Sequence, residues 1–285
     1  MKKNILLLIV ALFLLTGCFK KDNLEDITIY TTYYPIEYIT EYLYGEHSTV
    51  ESIYPDGVNI ETYTLNKKQI KDYSKSGMYI FSGLSNEKEY VSKMVENNSN
   101  LMIIDATQAM EYTYGIEEIW LDPSNFLMVA LNIKNGLSEY VSNHYLKNDI
   151  EKKYEELKVS VSNIDAKLKL LSENADNKTI VVDNDIFKFL EKYGFIVISL
   201  DEETVTDKTI SDAVIALKQN KNKYIYTIDK NNLSSVVSNV IDETTATPIE
   251  LQTISNINEE QRSNKEDYIT LLNDNIDELK NTLYN

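Results

Sequence analysis

The chain has 285 residues, 45 of them acidic and 28 basic, for a formal net charge of −17. A surface of that sign repels nucleic acid and anionic lipid headgroups, which both need a basic footprint, and it draws cations toward it. One cysteine excludes an internal disulfide, and the low counts of glycine (8) and proline (4) argue against a disordered chain.

The first segment reads as an address. Lys2 and Lys3 precede an apolar run over residues 5–15, then Leu15-Thr16-Gly17-Cys18. Two cations, a short apolar stretch and small residues before a cleavage point mark a secretory signal, and the run is about half of the roughly 20 residues that span a bilayer. Leu-Thr-Gly-Cys resembles the lipobox of bacterial lipoproteins, in which the cysteine becomes the first mature residue and carries lipid. The expectation is an extracytoplasmic protein anchored to the bacterial cell membrane through lipidated Cys18, with residues 1–17 as signal peptide and 18–26 as tether. An acyl chain must supply the anchoring, since no basic patch does.

Beyond the tether, strands are predicted at 27–32, 50–54, 78–81 and 101–104, with helices at 36–44, 67–75 and 86–97 between them. Such alternation predicts βαβ units and a mostly parallel sheet. The clearest periodicity follows: Ile150, Tyr154, Leu157, Val161, Ile164, Leu168 and Leu171 make one apolar stripe on a helix of roughly seven turns, about 40 Å long. Three heptads are marginal for a coiled coil, and a single rigid connector suits the setting better. The strand–helix pattern then returns, with strands at 179–182, 195–199, 224–228 and 249–253, helices at 186–193, 210–220 and 233–241, and a last helix over about 265–283. The fold class is α/β: an N-terminal lobe (27–142) and a C-terminal lobe (177–285), each with a mostly parallel sheet, bridged by one long helix (143–176), with a ligand cleft between the lobes. An exported, anchored, bilobed chain points to the solute-binding component of an uptake transporter.

Particular residues sharpen that reading. Pro55-Asp56-Gly57-Val58-Asn59-Ile60-Glu61-Thr62-Tyr63 resembles the Pro-x-Gly-x-x-x-His-x-Tyr stretch of the zinc and manganese binding lipoproteins of bacterial metal uptake transporters. Glu118-Ile119-Trp120-Leu121-Asp122-Pro123 resembles their His-x-Trp-Leu-Asp-Pro and holds the only tryptophan. Val181-Val182-Asp183-Asn184-Asp185-Ile186-Phe187 is similar to their strand end followed by His-x-x-Phe. Tyr33-Tyr34-Pro35 and Asp267-Tyr268 fit as well. The resemblance implies two α/β lobes bridged by a long helix, a divalent metal ion as transported ligand, and a membrane permease with a cytoplasmic ATPase of an ABC transporter as partners of a monomeric chain.

The departures fall on the metal positions. The family closes three histidines and a carboxylate around the ion; here the corresponding residues are Glu61, Glu118, Asn184 and Asn256. The His-rich loop of many zinc binders is absent, and His47 and His144 read as surface residues. Zinc favours imidazole and thiolate, so an all-oxygen set makes zinc doubtful and suits Mn²⁺, Ca²⁺ or Mg²⁺, with Glu117, Asp183 and Asp185 as further oxygens. Facing carboxylates in a cleft call for a cation between them: a metal, an amine-bearing ligand, or Lys67, Lys68 or Lys188. The alternatives are a degenerate relative that no longer binds metal, one that takes an organic ligand on Tyr33, Tyr34, Tyr38, Tyr54 and Tyr63, and a surface adhesin or scaffold. Catalysis is not expected: the chain has no Gly-x-Ser-x-Gly, phosphate-cradling loop or paired metal-binding histidines, and Glu117 and Glu118, read as an extended segment, point apart.

Overall fold

The computed structural model describes residues 22–219 and 223–284; the signal segment and Cys18 lie outside them. The first half runs β1 (Thr28–Thr31), α1 (Tyr34–Tyr44), β2 (Thr49–Ser52), α2 (Lys67–Tyr73), β3 (Met78–Phe81), α3 (Lys88–Asn97), β4 (Met102–Asp105), α4 (Glu118–Leu121) and α5 (Pro123–Tyr140). Then come α6 (His144–Asn174), β5 (Thr179–Val182), a 3₁₀ helix (Asp185–Tyr193), β6 (Ile196–Ser199), α7 (Asp207–Gln219), β7 (Tyr224–Thr227), α8 (Ser235–Thr244), β8 (Thr247–Glu250), α9 (Glu259–Ser263) and α10 (Tyr268–Leu283).

The strands form two four-stranded sheets of like topology, β2-β1-β3-β4 and β6-β5-β7-β8, and every neighbouring pair is parallel. In each sheet the strand order reverses beside the first strand, so a crevice opens at the carboxyl ends of β1 and β3, and another at those of β5 and β7. The two-lobe α/β class expected from the sequence is what the chain adopts.

The predicted apolar stripe is the buried face of α6: Ile150, Leu157 and Val161 are wholly buried, and Tyr154, Ile164, Leu168 and Leu171 nearly so. Asn143 caps this helix by accepting a hydrogen bond from the Tyr145 N–H at 2.9 Å. Its 31 residues span about 46 Å, and its one apolar face packs against α1 and α5 of the first half and α10 and the 3₁₀ helix of the second. One apolar core therefore runs through both lobes, and a smaller one (Val181, Leu200, Leu217, Ile225, Val237, Val240) fills the outer face of the second sheet.

Several elements differ from expectation, among them α9, which falls in a stretch left without an element. Helix α5 falls in a stretch left without an element; Pro123 opens it at a position that needs no N–H, and Asp122 caps it by accepting from the Ser124 N–H at 2.8 Å. β8 ends at Glu250, before the expected 253, because the chain leaves the sheet there: the Gln252 N–H turns to Asn275 Oδ1 at 2.8 Å, and Leu251, Ile254 and Ile257 are buried. The segment carrying Glu117 and Glu118 is helical, so these neighbours diverge by the turn of α4 and not by the pleat of a strand.

Candidate functional site

The loop that follows β8 crosses to the first lobe and ties the halves together. Ser255 O accepts from the Tyr34 N–H at 3.0 Å, Ile257 O from the Gly57 N–H at 2.8 Å, and Thr253 O from the Trp120 indole N–H at 2.8 Å. Gly57 sits at φ +76°, a left-handed turn that glycine adopts without strain. In the crossing loop Ile254 also has a positive φ, 57°, a costly conformation for a β-branched residue that its surroundings must enforce. The Tyr268 hydroxyl donates to the Trp120 carbonyl, and its ring stacks on Phe126 with centroids 3.9 Å apart. Arg262 adds a charged clamp: Nη1 lies 2.9 Å from Glu37 Oε1 and Nε lies 2.6 Å from Asp56 Oδ2. Lys192 of the second half pairs with Asp122 of the first.

The four sequence-selected positions take different places in this arrangement. Glu61 is exposed, on the loop between β2 and α2. Glu118 folds back on its own loop, its Oε2 accepting from the N–H groups of Thr113 and Tyr114 at 3.0 and 3.2 Å. Asn184 caps the 3₁₀ helix, its Oδ1 accepting from the Ile186 N–H at 3.0 Å. Asn256 is a strap between lobes: its amide donates to Pro55 O at 2.9 Å and Val58 O at 3.0 Å, while its oxygen accepts from the Ile257 N–H.

Glu117, one residue before the sequence-selected position, is the carboxylate that meets the second lobe. Ser255 Oγ donates to its Oε1 at 3.4 Å. Burial pushes its pKa up, and the charge of Glu61 pushes the same way. The Tyr33 hydroxyl is held protonated by burial and then by the fields of Glu87, Glu117 and Glu61. Gly115 lets the lobes approach closely at this corner: a Cβ there would lie 2.6 Å from Ile186 Cγ2 of the opposite lobe. Helix register separates Glu117 from Glu118, and the sequence motif alone does not report it.

The flanking acids serve the second lobe. Asp183 accepts from the Ile228 N–H at 3.0 Å across the β5–β7 crevice, and burial raises its pKa to about 6. Asp185 accepts from the Thr204 hydroxyl at 3.1 Å and pairs with Lys188 at 2.9 Å. Of the three candidate lysines, Lys188 is the one that reaches the other lobe, its ammonium 5.0 Å from the Tyr114 ring centroid; Lys67 and Lys68 are exposed on α2.

Among the described residues, the cluster with metal-ligand geometry is Glu46, His47 and Asp149, away from this cleft. Lys153 already supplies its cation, 3.3 Å from Glu46 and 3.5 Å from Asp149. His47 is thus half-buried and paired with Asp149 at 3.2 Å, more engaged than the surface reading allowed, whereas His144 is exposed.

Comparison with known proteins places this geometry in context. A family model described as ZnuA, zinc-uptake complex component A, periplasmic, matches residues 29–282. The zinc-binding lipoprotein AdcA of Streptococcus pneumoniae strain R6 is 22% identical over 311 residues, covering 99% of this chain and 61% of the relative. The high-affinity zinc uptake system protein ZnuA of Bacillus subtilis is 19% identical over 290 residues, covering 91% of this chain and 88% of the relative. This chain thus spans about three-fifths of the length of the streptococcal relatives it matches. Two solved structures share the fold: the metal-dependent lipoprotein YcdH of B. subtilis (TM-score 0.75, 18% identity, 91% of this chain and 100% of that one) and Zn(II)-bound AdcA of S. pneumoniae (TM-score 0.71, 21% identity, 91% and 58%).

Proposed function

The chain belongs to the ZnuA family, zinc-uptake complex component A, periplasmic, and from that premise we propose that it is the extracytoplasmic solute-binding protein of a metal-ion ABC uptake transporter. It receives a divalent cation between its lobes and delivers it to a membrane permease driven by a cytoplasmic ATPase, held at the cell membrane by lipid on Cys18. The observation that carries the reading is the placement of Glu117, buried at the junction of the lobes with Ser255 Oγ of the second lobe 3.4 Å from its Oε1 and within the field of Glu61. A carboxylate whose pKa is raised by burial and then by a like charge gains from a cation placed beside it.

Glu61 and Glu117 are the carboxylates proposed to reach the ion first; Glu117 starts with one oxygen accepting from Ser255 Oγ at 3.4 Å. Glu118, Asn184 and Asn256 occupy the family's other metal positions, and each starts with an oxygen held by a backbone N–H. A donor set of carboxylate and amide oxygens suits Mn²⁺ or Ca²⁺ better than Zn²⁺. The test is thermal unfolding of chelator-treated protein titrated with Mn²⁺, Ca²⁺ and Zn²⁺. Binding to the native state alone adds about 2.7 kcal/mol at a hundredfold excess over Kd, so a saturable rise in Tm that Glu61→Ala or Glu117→Ala abolishes is expected. No shift with any of the three ions overturns the proposal.

A further inference from the structure

The tyrosines singled out in the sequence divide into two sets. Tyr34 and Tyr38 pack inward, Tyr38 lying 5.6 Å from Tyr268 and 6.5 Å from Phe126 between ring centroids. Tyr33, Tyr54 and Tyr63, joined by Tyr90 and Tyr112, instead line a pocket of about 500 Å³ in the first lobe. Its walls are the loops that follow β1, β2, β3 and β4, so it sits over the carboxyl ends of the strands at the point where the order β2-β1-β3-β4 reverses. That is where open parallel sheets take small molecules. The volume is within the range of organic-ligand sites, far more than a bare ion needs.

The lining is aromatic and acidic together. Glu61 and Glu89 stand at the pocket with Glu87, which is 2% exposed and accepts from the Tyr54 hydroxyl and the Ser82 N–H, each at 3.1 Å. Tyrosine faces attract cations through their quadrupole, and carboxylates reinforce the attraction. The protein itself uses this wall in that way: Lys93, which also lines the pocket, holds its ammonium 6.0 Å from the Tyr90 ring centroid. We infer that this pocket binds a small organic ammonium compound, its charged head on the tyrosine faces between the carboxylates, in addition to the metal ion proposed for the lobe junction. Of the groups proposed to hold the ion, the pocket shares Glu61 alone.

Isothermal titration calorimetry on chelator-treated protein tests this with choline and putrescine as probes and glucose as the neutral control. Saturable binding of at least one amine is expected, with affinity at least tenfold lower in a Tyr112→Ala/Glu89→Gln variant. Both positions are exposed, so the Tm of the ligand-free variant should stay at the wild-type value. Absence of saturable heat with both amines at millimolar concentration overturns the inference, as does unchanged affinity in the variant or equal binding of glucose. The metal titration reads out separately: a chain that takes Mn²⁺ and refuses both amines refutes this inference alone, and one that takes an amine and no metal refutes the proposed function alone.

Discussion

Glu87 shows what burial does to a single carboxyl. Burial raises its pKa from 4.5 to about 7, against hydrogen bonds from Ser82 and Tyr54 that favour the charged form. A folded pKa above the unfolded one means that the native state binds the extra proton between these values, so stability is greatest below about pH 4.5 and declines as pH rises to about 7. At 1.36 kcal/mol per unit, this group alone sets a decline of about 3 kcal/mol. Glu87→Gln, which mimics the protonated carboxyl, should flatten the dependence, so that wild type and variant share a urea midpoint near pH 5 and the variant is the more stable at pH 8; parallel pH profiles would refute it. At the lobe junction, Glu117→Gln should cost cation affinity tenfold or more while Glu118→Gln costs mainly stability, about 1 kcal/mol for the lost loop bonds, as titration and melting of the two variants would show. The sequence singled out Glu61 and Glu118 as ligand positions, with Glu117 as a further oxygen, but it did not show that Glu117 is the member of the pair that meets Ser255 of the second lobe. It could not reveal that Asn184 and Asn256 have their amides engaged by backbone, because those partners are set by loop conformation.

Helices whose apolar residues recur at steps of three and four were the most readable elements, α6 above all. Its stripe was legible because one narrow face meets both lobes while the rest meets water: Val159 and Leu170 are 61% and 55% exposed beside wholly buried Leu157 and Val161. Leu157→Ala should therefore destabilise by about 2–5 kcal/mol, while Val159→Ala, two residues away, stays within about 0.5 kcal/mol; urea unfolding of the two distinguishes a connector packed on one side from a helix buried all round. α5 was passed over although Phe126, Val129, Ala130, Ile133 and Leu137 keep a helical spacing and are all buried. Asp122-Pro123 is its start signal, and reading that dipeptide only as a family motif hid its role as cap and first turn. The early end of β8 was not legible either, since apolar residues at 251, 254 and 257 suit a strand's neighbourhood as well as a loop packed on helices.

The molecule is held together by partners far apart in the chain. Glu37 is 8% exposed and Arg262 is its guanidinium partner, with Asp56 sharing the same clamp. Arg262→Ala strands Glu37 in a poorly solvated place; with the guanidinium itself partly exposed, a loss of about 2 kcal/mol is expected, together with a larger radius of gyration by small-angle scattering as the lobes part. An unchanged radius would mean that the apolar seam of Trp120, Phe126 and Tyr268 suffices to keep them closed. The two-lobe plan was readable because each half repeats the same alternation, whereas the closure was not, because it rests on single bonds between residues such as Asn256 and Pro55, 201 positions apart. These long spans also constrain the order of folding. A chain that emerges amino end first can complete its first sheet early, yet the Trp120 indole N–H has no acceptor and Glu37 lacks the Arg262 counterion until residues 253–268 arrive. The first lobe must wait, with its apolar seam exposed, for the last eighth of the polypeptide. Slow formation of such non-local contacts makes that interval the one in which a holding chaperone matters most, and a truncation just before Thr253 would turn the interval into a permanent state.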